Sequence, residues 1–340
     1  MTYRNRLLVL AAAVVVLAAV ATASVLHAAN RAGRRDREQA GGPPVSAGRV
    51  SLAASSRRLM VFRNMAWGPH RDELATVPAV APDGPRTASG VRCLRFSTAA
   101  GTGICLQAVH GAVQDTYRAV VLDSRLRELR HFPLGGIPTR ARVSPSGRMV
   151  AWTVFVSGDS YAGTAFSTRT SILDTRTWRL QSSLEPYAIT RDGRPYRAAD
   201  VNFWGVTFAD DTHFYATLAT GGRTYLVRGD DAAHTVRTLR ENVECPSLSP
   251  DGTRLVFKER VRGASPDAPW RLYALDLATM RETPLAEHRS VDDQVVWSGP
   301  DTVVYAMAGD YGSDLWTVPA DGTGSPRRVM TAALAPAYVG

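Results

Sequence analysis

The chain has 340 residues, 45% of them hydrophobic and 21% charged, with a formal net charge of +9. That balance excludes a wholly disordered chain, a collagen-like chain and a disulfide-scaffold miniprotein. Seven arginines stand in residues 1–50 against only Asp36 and Glu38, so the excess over the rest is too diffuse for a nucleic-acid footprint.

The first predicted element is an apolar helix. Leu7 to Leu26 is broken only by Thr22 and Ser24, with Arg4 and Arg6 before it. About 20 apolar residues span a hydrocarbon core. Ala21-Thr22-Ala23 before Ser24 also resembles the small-residue site of a secretory signal peptide. Residues 1–29 therefore read as a signal-anchor or a signal peptide. Either places the large domain outside the cytoplasm, at a cell membrane or secreted. Arg31, Arg34, Arg35 and Arg37 on the far side weaken the positive-inside rule as a guide to orientation. No cysteine lies near the end of the run, which argues against a lipoprotein. Residues 30–48, rich in Ala, Gly, Arg and Pro without apolar period, read as a flexible linker.

Residues 49–340 repeat. Arg142–Trp152, Val206–Tyr215, Pro246–Phe257 and Val295–Tyr305 each show a short strand, a tight polar turn and an apolar strand. Asp-Gly or Ser-Gly between alternating apolar runs is a hairpin signal. Each hairpin precedes two more strands. Anchors at Phe96, Val143, Phe208, Leu248 and Trp297 recur every 40 to 65 residues, and a four-stranded unit of about 40–50 residues is the propeller-blade period. A sixth unit lies in residues 49–87. Its innermost strand comes from Ala335–Gly340 or from Val50–Ala54. The predicted fold is an all-β, six-bladed β-propeller behind an N-terminal transmembrane or signal helix.

Ser249-Pro250-Asp251-Gly252-Thr253-Arg254-Leu255-Val256-Phe257 resembles the repeat of TolB-type six-bladed propellers, a WD40-like family in which a Ser-Pro-Asp-Gly turn joins the first two strands of a blade. Ser144-Pro145-Ser146-Gly147 departs by one residue, and Ala209-Asp210-Asp211 and Gly299-Pro300-Asp301 are looser. The resemblance covers roughly residues 90–330. It implies an exported binding or scaffolding module. The same repeat also occurs beside hydrolase domains in prolyl-oligopeptidase-like enzymes.

Catalytic motifs are missing. There is no Gly-x-Ser-x-Gly elbow, phosphate loop or dinucleotide fingerprint, and the seven histidines stand apart. No cofactor or metal is expected. Asp210-Asp211, Asp230-Asp231 and Asp292-Asp293 read as solvated turns or channel groups rather than calcium ligands. Cys93 and Cys105 lie symmetrically about Ala99 on one hairpin. They form either a disulfide or two buried thiols, while Cys245 reads as a small buried residue.

Blade connections alternate between two faces. First-to-second and third-to-fourth strand turns are short, whereas 157–168, 183–200, 260–269 and 308–313 are long and share the other face. That long-loop face is the expected surface for a protein or cell-envelope ligand. Its candidate anchors are Tyr187, Arg191, Arg194, Tyr196 and Arg197, because Tyr and Arg are typical interface residues. Arg92, Thr139, Trp204, Glu244 and Asp293 precede the strand anchors by four positions and are expected around the channel mouth. The alternative is a lyase or glycoside hydrolase with Glu244 and Asp293 as its acid/base pair.

Overall fold

A computed structural model describes residues 3–35, 37, 42–111, 114–159, 161 and 166–340. Tyr3–Arg35 form one helix. Its segment Tyr3–Asn30 contains an 18-residue window with a mean hydropathy of 2.7, and its apolar side chains are exposed. At 1.5 Å rise per residue, 28 residues reach roughly 42 Å, enough to cross a membrane. A signal sequence has the same properties.

Six sheets follow. Blade 1 runs from Arg95 to Leu134, blade 2 from Ile137 to Gln181 and blade 3 from Asn202 to Glu241. Blade 4 runs from Glu244 to Pro284 and blade 5 from Val296 to Met330. Blade 6 combines Leu59–Asn64, Glu73–Pro78 and Arg86–Arg92 with an innermost strand from the other end of the chain, Ala333–Val339. That strand pairs antiparallel with Leu59–Asn64, from Leu59 opposite Val339 to Asn64 opposite Ala333. Of the two closing segments considered, the C-terminal one therefore closes the ring. Residues 50–54 form no strand; Val50 and Leu52 instead plug apolar side chains into the blade 6–blade 1 core.

The boundary drawn for the linker needs correction. Val45–Ala47, inside the segment read as 30–48, pairs parallel with Arg86–Ala88 on the outer edge of blade 6. It satisfies backbone groups that an open edge would leave free. Residues 36 and 38–41 of that segment lie outside the described residues.

Strand alternation explains the core. Successive side chains point to opposite faces, so each strand feeds two interblade clusters. Met60 and Phe62 pack toward blade 5, while Val61 packs toward blade 1. Ile104 and Leu106 pack toward blade 2, while Cys105 turns back to blade 6. Six such clusters join neighbouring blades around the ring.

Cys93 and Cys105 are joined by a disulfide with Cα atoms 5.3 Å apart. Their register is not that of direct opposites: Cys105 faces Phe96, and Cys93 lies before the strand Arg95–Ala99. The bond therefore ties the crossing from blade 6 to the second strand of blade 1. Cys245 is a free, buried thiol.

Candidate functional site

The six inner strands enclose a central channel, and its open part is a cavity of about 440 Å³. The turns that line it, around Pro145, Ala209 and Pro250, join first to second strands. The cavity therefore opens on the short-turn face, not on the long-loop face where a binding surface was expected. Arg58, Pro145, Ala209, Pro250 and Tyr338 ring the mouth, with Arg58 stacked 4.7 Å over the Tyr338 ring.

Arginines line the interior. Arg95 opens the inner strand of blade 1; Arg140 and Arg142 stand two apart on the inner strand of blade 2. Arg142 donates from Nη2 to Val295 O at 3.2 Å and to Ser247 Oγ at 3.4 Å, while its Nε is buried without a partner. Arg140 donates from Nη1 to Thr139, but its Nε and Nη2 make no hydrogen bond. Among the described residues, the ion-pair partner of Arg95 is Asp293 Oδ1, at 4.0 Å. Burial lowers both Arg95 and Arg142 to about 10, partly offset by Asp293. Both stay charged at neutral pH. Gln294 fixes the channel wall by donating from Nε2 to the carbonyls of Gly205, Val206 and Pro246.

The long-loop end of the channel is closed. Tyr161 reaches in from the loop after blade 2's second strand and is only 2% exposed. It packs against Phe155, Phe166 and Trp204 at centroid distances of 4.6, 5.4 and 5.3 Å. Beneath it lies Lys258, the sole lysine of the chain, fully buried. Its ammonium pairs with Asp292, lies 3.6 Å from Glu244 Oε2 and sits 3.7 Å over the Trp270 ring. A buried ammonium is tolerated only when so surrounded.

Glu244 is 1% exposed and receives Arg260 Nε at 2.9 Å and Trp270 Nε1 at 3.2 Å. Asp293 accepts the backbone N–H of Ala306 at 3.0 Å. Of these two carboxylates only Asp293 lines the cavity. Thr139 also lines it, and Trp204 is buried in the aromatic plug. Arg92 departs from the expected register: it ends Arg86–Arg92, the strand next to the outer edge of blade 6, and is exposed, with Nη2 3.4 Å from Pro69 O. The two-residue crossing at Cys93 and Leu94 is the reason, because the inner strand begins only at Arg95.

The segment 183–200 is not a free loop. Ala188–Arg191 and Arg194–Tyr196 form a hairpin that adds to blade 3's outer strand, with Ala188 opposite Thr235. Tyr187 is buried, and its hydroxyl donates to Asp231 Oδ1 at 2.5 Å in the third-to-fourth turn of blade 3. Tyr187 is therefore an internal strut reaching the short-turn face, against the expectation of an exposed anchor. Tyr196 is half-buried, its hydroxyl 2.9 Å from Thr220 Oγ1, with Arg191 stacked 3.9 Å over its ring. Arg194 and Arg197 are exposed. These residues occupy the rim of blade 3, and none lines the channel. The expected loop 157–168 includes residues 160 and 162–165, which lie outside the described residues. Among the described residues, no three His, Cys, Asp or Glu side chains converge as a metal-ligand set.

No family model and no curated protein matches the sequence. Solved structures do resemble it. A puromycin-hydrolyzing peptidase from Mycobacterium tuberculosis superposes with a TM-score of 0.48 and 15% identity, over 82% of this chain and 44% of that one. An oligogalacturonate lyase in complex with manganese gives 0.47 and 9%, over 73% and 71%. TolB from Acinetobacter baumannii gives 0.53 and 18%, over 84% of this chain and 67% of that one. With its blades, closure and channel, the chain is a six-bladed β-propeller of TolB-like fold.

Proposed function

We propose that the protein is a non-catalytic binding propeller, held at a membrane by its N-terminal helix with the propeller outside the cytoplasm, that takes up a protein or cell-envelope ligand at its channel mouth. The observation that carries the reading is the open channel, lined by incompletely bonded arginines. The Cys93–Cys105 disulfide supports export, because such bonds persist in oxidising compartments. The lyase or hydrolase alternative asks two carboxylates to face one cavity. Glu244 instead faces cations in the closed end, outside the cavity lining.

The test is capture of partners from envelope extract by the full chain in detergent. Ala209→Trp places a bulky group on an exposed position of the mouth and is expected to abolish capture. Arg194→Ala with Tyr196→Ala and Arg197→Ala, on the blade 3 rim, is expected to leave it. The reverse outcome moves the binding surface to that rim.

A further inference from the structure

Cations outnumber anions around the channel, and part of their hydrogen-bonding capacity is not used. Arg95, Arg140, Arg142, Lys258 and Arg260 face only Glu244, Asp292 and Asp293. The excess sits at the cavity end. Lys258 and Arg260 are absorbed by Glu244 and Asp292, whereas Arg142 has no carboxylate within ion-pair distance among the described residues. Arg140 is 5% exposed; its Nη2 lies 3.6 Å from Asp292 Oδ1 and its guanidinium 4.8 Å over the Tyr161 ring, but Nε and Nη2 make no hydrogen bond. Arg95 makes none among the described residues. A buried, unbonded guanidinium is costly, because the group gives up water without replacing it. Arg140 is buried and Arg95 and Arg142 are half-buried, and their unused N–H groups, side by side on the cavity wall, mark a place built to receive acceptor oxygens.

We infer that the channel is an oxyanion site in which Arg95, Arg140 and Arg142 bind a carboxylate or phosphate group of a ligand entering from the short-turn face. The inference rests on the channel-mouth reading above and names the chemistry recognised there. Guanidinium forks match carboxylate and phosphate geometry, and such charge-assisted bonds are stronger than neutral ones. The mouth fits the rest of the ligand. Proline, Phe208, Trp297 and Tyr338 give it apolar and aromatic surface above the charged interior, so an anionic group borne on a chain end or a small organic acid suits the 440 Å³ cavity.

Titration calorimetry on the full chain in detergent, with four probes, tests this: glutarate, inorganic phosphate, the tripeptide Leu-Ala-Leu with a free carboxylate, and the same tripeptide amidated. Binding of at least one anionic probe is expected. The free-acid tripeptide binding tenfold or more tighter than the amide assigns a polypeptide chain end. Glutarate or phosphate alone assigns a free small anion. Arg95→Gln with Arg142→Gln is expected to weaken any such binding at least tenfold while the thermal midpoint holds. Equal binding of acid and amide, or no anionic binding to a folded protein, overturns the proposal. If the double variant still captures envelope partners that Ala209→Trp loses, the mouth reading stands and the oxyanion site falls.

Discussion

Asp174 shows how a single polar group locks two turns of one blade together. It accepts Arg148 Nη2 at 2.6 Å and Nε at 3.2 Å, plus the backbone N–H of Arg176 at 2.9 Å. Arg148 follows blade 2's first turn and Asp174 precedes its third, so the pair joins two turns of the same face. The Arg148 guanidinium and these N–H groups hold the Asp174 carboxyl well below the usual carboxylate range. The folded value lies below the unfolded one, about 3.9, so the unfolded chain takes the proton first as pH falls. The stabilisation is complete above roughly pH 5 and disappears as pH drops below about 4 toward the folded value. Asp174→Asn is expected to lower the thermal midpoint at pH 7, with the gap from wild type narrowing between pH 5 and pH 3. A gap of constant size across that range means that the charge on Asp174 contributes nothing. Some of this scale was legible in the sequence. Thr139-Arg140-Ala141-Arg142 places two arginines at strand spacing on one face of an inner strand, which is a channel signal in itself. Arg95, first in its strand, carried none, because the crossing from blade 6 hides where that strand begins.

The turns carry the repeat. In Ser249-Pro250-Asp251-Gly252, Ser249 Oγ bonds Asp251 Oδ1 at 2.5 Å and accepts the N–H of Arg254 at 2.9 Å, while Asp251 accepts the N–H of Thr253 at 3.1 Å. The variant turn works alike: Ser144 Oγ accepts the N–H of Met149 at 3.0 Å, and Asp211 of the next blade supplies the carboxylate that Ser146 lacks. Such local chemistry is why the blades could be read from residues alone. The blade 3 hairpin could not, since its pairing with Thr235–Arg237 is a tertiary contact that no local pattern encodes. The two turn glycines differ in their surroundings. Gly252 has φ +72° with nothing within 4 Å of an added Cβ, whereas at Gly147, φ +81°, the Cβ would meet Ala99 O of blade 1 at 2.9 Å. Gly252→Ala is expected to cost about 1–2 kcal/mol, the left-handed penalty alone. Gly147→Ala is expected to cost more, because blade 1 must shift as well. Chemical denaturation of both variants gives the comparison, and equal losses rule out the interblade contact as a factor.

At the scale of the molecule, a ring of repeats must be held where the chain starts and stops contributing to it. Here the closure is made twice. Ala333–Val339 supplies blade 6's inner strand, and Arg86, 2% exposed, donates to Asn64 Oδ1 at 2.8 Å and to the carbonyls of Thr331 and Ala332 beside that strand. One blade further on, the disulfide fastens the crossing into blade 1. The strand covers Met60, Val61 and Phe62, all 0% exposed, and itself buries Ala333, Ala337 and Val339. Burial of one large aliphatic or aromatic side chain contributes about 1.5–3 kcal/mol, and each net ladder hydrogen bond about 1 kcal/mol. Losing several of both approaches the whole margin of a typical domain, about 5–15 kcal/mol. Deletion of residues 333–340 is therefore expected to abolish cooperative thermal unfolding and channel binding together. The N-terminal helix makes the opposite case. Its apolar side chains are exposed and none belongs to an interblade core, so deletion of residues 3–30 is expected to leave the midpoint within about 2 °C, as for changes away from packing. Calorimetry on the two deletions separates a ring closed by its last strand from one that its first residues help to hold. A normal midpoint without residues 333–340 refutes the closure.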